Sequence, residues 1–424
     1  MNKLSLKVLI KVLVMGSCWS IVYLIPFIQY VFYDPFQELM GATNAQLGFM
    51  LTIYGLGNFY GCPIGGWIAD RFNYKYVYVG SVLLNGICGI LFVLNPSYTF
   101  GIAMWVGFSI ASLVMNYPAH IKIIRNLVGD EDQGKIFGFN ETSVGIGNII
   151  FNAFMMFLFS SYLEGVAGIK AAIIGLSILS LLLAIPVYFV IDNPVKSKDR
   201  VESSKTTEPK LGVSDYVQIL KSSSTWLVAF SIFSIYSFLV TMSYFTPYFT
   251  EVLGATVTFS GVVAIIRTYV MTLVGAPIGG FFTDKLHSAS KVLLVANVVG
   301  IVSLMILLNL SSSTSVYVLI ALTLVMAFLV FAGRGSYYAV ITELNIPKER
   351  TASTIGIAAA LGFSPDMFQF LLFGNLLDKY GVAGYRYMFI YQIIVLTIGT
   401  IVAITVIKRM KKNNVINMEN TIET

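Results

Sequence analysis

Apolar runs long enough to cross a bilayer recur along the whole chain, separated by short polar stretches. A membrane-spanning helix needs about 20 such residues. Twelve segments qualify, at roughly 8–32, 44–69, 76–94, 98–121, 136–159, 168–191, 224–249, 258–283, 291–310, 315–340, 352–377 and 386–407. None shows the short apolar/polar alternation of an outer-membrane barrel strand, so the pattern predicts helices. The first run, from about Val8 to Phe32, is too long for the core of a cleavable secretion signal and reads as a span. The largest interruption, from Asp192 to Gly212, is polar, charged and without apolar period, with a short helix expected near Ser214 to Lys221. The organisation expected is a six-helix bundle over 1–191, a linker over 192–222, a second six-helix bundle over 223–410 and a tail over 411–424.

Composition agrees: 57% of residues are hydrophobic and 11% charged, against about 25% charged in average proteins, which excludes a soluble globular chain. The net charge of +6 is explained by topology. With both termini cytoplasmic, inner segments hold 22 of the 27 basic residues; the outer loops hold Lys170, Lys379 and Arg386, and Arg267 and Arg334 fall inside spans. Nucleic acid is therefore not expected as a partner. Cys18, Cys62 and Cys88 all lie in spans without metal-ligand spacing, so neither a metal nor any other cofactor is expected. No phosphate-binding GxxxxGK[ST] loop occurs, which argues against ATP-driven pumping. The glycine-rich YGLGNFYG sits inside a span with no strand before it, so it is not a dinucleotide site, and no enzyme constellation is present.

The chain repeats itself. GCPIGGWIADR (Gly61 to Arg71) returns 214 positions later as GAPIGGFFTDK (Gly275 to Lys285), and FQELMGAT (Phe36 to Thr43) returns as FTEVLGAT (Phe249 to Thr256). A period near half the chain means two related halves. Gly57, Gly61 and Gly65, and again Gly275 and Gly279, form small-residue rows that let helices approach closely. Pro63 and Pro277 bend the second and eighth spans, and Asp70 and Asp284 follow at the inner water boundary.

Charges inside spans are costly and each marks a functional hypothesis. Arg267 lies about 14 Å into the eighth span, near the midplane, where a permanent guanidinium suits capture of an anion or a structural ion pair. Arg334, between two glycines near the inner end of the tenth span, and Glu141, about 9 Å into the fifth, fall at similar depth and are expected to pair as an inner gate, with direct substrate contact the alternative for Arg334. Asp366, about 22 Å into the eleventh span beside Pro365, is a proton-coupling candidate that competes with Glu141. His120 has no sequence partner and reads as structural.

Two six-span halves with these motifs resemble the major facilitator superfamily. Its phrase between spans two and three is matched by Gly66, Asp70, Arg71 and Lys75, although Asn73 replaces a glycine and Tyr76 a basic residue; the second copy offers Gly280, Asp284, Lys285 and Lys291. The segments FYDPFQELMGATNAQLG, MNYPAHIKIIR and QGKIFGFNETSVGIGN resemble a branch of YihN-like carriers, filed beside nitrate/nitrite porters and organic-anion symporters. The resemblance implies an all-α membrane protein of twelve transmembrane helices in two pseudo-symmetric bundles, with a substrate site near the midplane between repeats. It implies a latch at Gly66, Asp70, Arg71, Asp284 and Lys285, and a cavity to which Tyr23, Gln29, Asn116, Tyr236 and Tyr244 contribute beside Arg267 and Arg334. The fifth span lacks the GPxxGG of drug/proton antiporters, and the second has Ile53 and Tyr54 where nitrate porters carry an arginine. The expectation is a monomeric, multi-pass secondary carrier of the bacterial inner membrane, moving a small anion by alternating access with proton coupling. A solute-sensing receptor, a drug or metabolite exporter and a channel-like facilitator are the rivals.

Overall fold

In the computed structural model the chain is described over residues 6–129, 132–161, 164–192, 213–310, 315–346 and 348–422, without the side chains of 59, 62, 63, 69, 70, 134, 213–216, 348–353 and 413–422. No strand occurs among the described residues. Among the described residues twelve long helices follow one another, eleven of them long and apolar enough to cross a membrane: α1 Leu6–Leu24, α2 Asn44–Arg71, α3 Tyr74–Leu94, α4 Tyr98–Arg125, α5 Gln133–Ser161, α6 Gly165–Val190, α7 Ser223–Glu251, α8 Val257–Leu286, α9 Ala289–Leu308, α10 Val316–Glu343, α11 Thr354–Tyr380 and α12 Ala383–Lys412. Each answers one apolar run of the sequence. The first run is shorter than expected, because Pro26 cannot continue a helix. After α1 the chain makes a turn at Ile28–Tyr30 and a separate helix at Tyr33–Met40, which Gly41 ends in the left-handed conformation, φ 57°. The expected short helix is Val213–Lys221, while the linker residues 193–212 lie outside the described residues. At the C-terminus the helical backbone runs on from α12 to Ile422, across the expected tail.

The repeated phrases have local structural meanings. The twice-written GAT supplies an N-cap to a long helix each time. Thr43 Oγ1 accepts from Gln46 N at 3.2 Å while Gln46 Oε1 accepts from Thr43 N at 2.9 Å, a capping box at the start of α2. Thr256 Oγ1 accepts from Phe259 N at 3.2 Å and starts α8. The glycine rows set two equivalent crossings. A Cβ on Gly65 would lie 2.3 Å from the Val114 carbonyl oxygen of α4, and one on Gly279 would lie 2.1 Å from the Ala332 carbonyl oxygen of α10. These backbones touch because nothing stands between them.

Compact packing divides the chain into two units. The first holds Met1–Val195 together with Ser243–Val270 and Asp366–Val382; the second holds Lys196–Met242, Met271–Pro365 and Ala383–Thr424. The first unit therefore contains all of α1–α6 plus residues 243–251 of α7, 257–270 of α8 and 366–380 of α11. Each of those helices has a local irregularity where it passes from one unit to the other. The helical run of α7 is interrupted at Tyr244, α8 carries a π-helical turn at Ile266–Val270, and α11 is broken between Gly362 and Pro365.

The first unit carries an ion pair between Lys11 of α1 and Asp192, just beyond α6. The Lys11 hydrogen bond holds the Asp192 carboxyl below the usual carboxylate range. Its contribution is present above the unfolded-state pKa and fades as pH falls through the lowered folded value. With the Asp192 side chain 73% exposed, the pair contributes little.

Candidate functional site

The π-helical turn of α8 places Arg267 inside the first unit. Such turns insert one extra residue into a helical ladder and recur at functional sites. Arg267 is 1% exposed. Its Nη2 donates to Thr246 Oγ1 at 2.9 Å, and the guanidinium lies 5.9 Å from the Phe245 ring centroid. Thr246 in turn donates to the Tyr30 carbonyl oxygen at 2.6 Å, and its own carbonyl oxygen accepts from Ser260 Oγ at 2.7 Å. Arg267 Nε and Nη1 have no hydrogen-bond partner, and no carboxylate lies within ion-pair distance of this arginine among the described residues. Of the two readings open from sequence, the structural ion pair is absent there. A buried, uncompensated cation is expensive, so its persistence calls for a counter-charge.

The guanidinium geometry narrows the kind of counter-charge. Thr246 uses one of the two protons on Nη2. Whichever it uses, one complete edge stays open, either Nε with Nη2 or Nη1 with Nη2. An open edge of parallel N–H groups matches two oxygens of one oxyanion.

Asp366 is also buried in the first unit, 5% exposed, in the first turn after the break in α11. A Cβ on Gly55 of α2 would come within 2.8 Å of Asp366 Cβ, so the glycine makes room for this carboxylate. Asn152 of α5, 214 positions earlier than Asp366, is likewise fully buried, and its Oδ1 has no partner.

In the second unit Arg334 is exposed where the regular helix Val316–Arg334 within α10 ends, 5.9 Å from the Phe331 ring centroid. Tyr236, Tyr337 and Tyr338 are its electrostatic neighbours. Phe363 packs 4.6 Å from Tyr236 and 6.5 Å from Tyr337, centroid to centroid, completing an aromatic surround.

The remaining sequence candidates separate clearly. Tyr244 is buried, donates to the Phe370 carbonyl oxygen at 2.8 Å and packs on Phe373. Tyr23 stacks on Trp19 at 5.2 Å. Gln29 is buried. Asn116 is fully buried with Nδ2 donating to Ser81 Oγ at 2.9 Å, inside the bundle. His120 is fully buried, with Tyr78 Oη 3.0 Å from Nδ1 and Asn140 Oδ1 2.9 Å from Nε2. Glu141 is exposed on α5. Of the latch residues, Arg71 is exposed over Trp67, Asp284 and Lys285 are exposed, Gly66 has open space around it, and the Asp70 side chain lies outside the described residues.

Comparison with known proteins decides the family. The model of the Major Facilitator Superfamily matches residues 8–364. The chain belongs to that superfamily. It is 29% identical over 398 residues to the inner membrane protein YihN of Escherichia coli, covering 93% of this chain and 94% of that protein. It is 22% identical over 375 residues to the probable galactarate/D-glucarate transporter GudP of Bacillus subtilis, covering 82% and 81%. Among solved structures, a bacterial homologue of the human lysosomal transporter Spinster, inward-facing and unoccupied, matches with a TM-score of 0.70 at 17% identity, covering 96% and 97%. As a member of the superfamily this chain is a multi-pass inner-membrane protein with a transporter fold, and not an enzyme.

Proposed function

We propose that this superfamily member is a secondary carrier for a small organic anion, working by alternating access as a monomer and coupled to protons. The unpaired, fully buried Arg267 carries the reading. A carboxylate or similar oxyanion on its open edge would supply the missing counter-charge. Arg334 with Tyr236, Tyr337 and Tyr338 would meet the solute at another stage of the cycle. The likeness to GudP, a probable transporter of dicarboxylic sugar acids by its name, makes galactarate and D-glucarate natural first probes.

Asp366 is the proton-carrying group in this reading. It is a carboxylate at membrane depth with room made for it by Gly55, and ionisable groups so placed commonly serve as proton relays. Counterflow in proteoliposomes separates the parts. A carrier exchanges labelled for unlabelled galactarate or D-glucarate across a panel that includes simpler carboxylates, and Asp366→Asn keeps that exchange while losing uptake driven by a pH gradient. Counterflow for no anion in the panel contradicts the anion reading. Unaltered proton-driven uptake in the variant contradicts the role of Asp366.

Glu141 and Arg334 form the inner gate in the same reading. Glu141→Ala and Arg334→Ala should each reduce transport at least about tenfold, and Glu141→Arg with Arg334→Glu should recover a substantial part. Folded swap protein as inactive as the single variants would count against the pair.

A further inference from the structure

We infer that Asp378 and Glu164 are a matched pair of outer locks, two carboxylates that hold the N-terminal ends of α2 and α8 while the outer side of the carrier is shut. Asp378 lies in the last turn of α11. Its Oδ1 accepts from Asn44 N and from Asn44 Nδ2, each at 2.9 Å, and its Oδ2 accepts from Ala45 N at 2.8 Å. Asn44 and Ala45 are the first two residues of α2, whose free N–H groups and positive dipole end favour a carboxylate. Glu164, in the short connection between α5 and α6, accepts through Oε1 from Thr258 Oγ1, on the second residue of α8.

The two contacts occupy equivalent places in the repeat. Thr258 follows Asn44 by 214 positions, and Asp378 follows Glu164 by 214, the interval at which the glycine phrase repeats. Each half thus lends a carboxylate from its fifth span, or just beyond, to the start of the other half's second span. The helix breaks agree with a moving role, since the segments Ser243–Val270 and Asp366–Val382 join the rest of their helices at Tyr244, at the π-helical turn and at the break before Pro365. Glu164 also has φ 57° and ψ −164°, a conformation that only glycine adopts easily. That strain is tolerated while the side chain reaches Thr258 and is free to relax once the contact opens.

Behind the Asp378 lock, α2 and α11 meet without a gap. A Cβ on Gly374 would lie 2.3 Å from the Asn44 carbonyl oxygen, and one on Gly48 would lie 2.2 Å from the Phe370 carbonyl oxygen. Thr52, 6% exposed and one turn along from Gly48 on the same face, is sealed by this contact.

The inference rests on the carrier reading but not on the solute being an anion, so its test uses no solute. Thr52→Cys, in a chain whose three native cysteines are replaced by alanine, is labelled in right-side-out vesicles with a neutral, membrane-impermeant polyethylene-glycol maleimide. Labelling is expected to be slow with both locks intact, roughly five-fold faster with Asp378→Asn or Glu164→Gln, and faster still with both. Asp378→Glu should restore the slow rate. An unchanged rate in the double variant overturns the inference, as does an Asp378→Glu rate equal to that of Asp378→Asn. If the charge variants fail to accumulate, the intact-lock protein is labelled at 50 mM and at 1 M salt; screening should speed labelling, and no salt effect overturns the inference.

Discussion

Arg267→Met is expected to melt at a higher temperature than the unsubstituted protein when no anion is present. The usual expectation for a large buried residue is the reverse. Here the guanidinium is 1% exposed, two of its nitrogens have no partner, and no carboxylate of the described chain offsets its charge. Replacing buried ionic groups by packed apolar ones of similar volume has stabilised proteins by roughly 1–4 kcal/mol. Methionine fills an irregular space without charge. The change orphans little, because Thr246 keeps its bond to the Tyr30 carbonyl oxygen. The same substitution should abolish transport, with anion affinity lowered at least about 30-fold, since losing a buried charge-assisted contact costs about 2–5 kcal/mol. A variant more stable and inactive is what a binding charge predicts. A variant less stable, with transport intact, would mean that Arg267 holds the fold.

Gly48→Ala should change which side of the carrier is open more than it changes folding. Its new methyl would lie 2.2 Å from the Phe370 carbonyl oxygen of α11, a clash with backbone that side-chain rotation cannot relieve. Overpacking of this kind costs about 1–3 kcal/mol. If the contact exists only while the outer side is shut, about 2 kcal/mol moves the population roughly 30-fold toward the outward-open form. Transport should fall by at least an order of magnitude, while the Thr52→Cys reporter labels quickly from outside. Gly279→Ala gives the contrast. Its methyl would meet the Ala332 carbonyl oxygen at 2.1 Å, in a crossing of α8 and α10 within one bundle. That contact persists through the cycle, so this variant should lose stability without biased labelling. Gly66→Ala, with nothing within 4 Å, should do neither.

Much of this architecture was legible in the sequence because bilayer physics writes it there. Apolar runs of fixed minimum length gave the helices, and the duplicated glycine phrase gave the close crossings. The position of Arg267 within its span followed from counting residues along a helix. Its partner did not, since Thr246 lies on another helix and meets Arg267 only after a π-helical turn that no proline or glycine announces. The first span was overdrawn because its run stays apolar past Pro26 into a turn and a separate helix. Asn116, expected at the cavity, donates to Ser81 Oγ, a contact set by packing between helices rather than by spacing along one. Glu164 and Asp378 carry no local signal that separates them from ordinary loop and helix-end charges. The usable signal was the shared interval of 214, which links Glu164 to Asp378 as it links Asn44 to Thr258.

The claim on which the functional account stands is that Arg267 waits for an anion. Purified protein and Arg267→Met should be melted side by side against a panel of small carboxylates, phosphate, sulfonates and neutral sugars. The account predicts that at least one oxyanion raises the melting temperature of the unsubstituted protein, that the rise vanishes in the variant, and that the sugars do nothing. Stabilisation by neutral sugars alone, or an anion response of equal size in Arg267→Met, would contradict it.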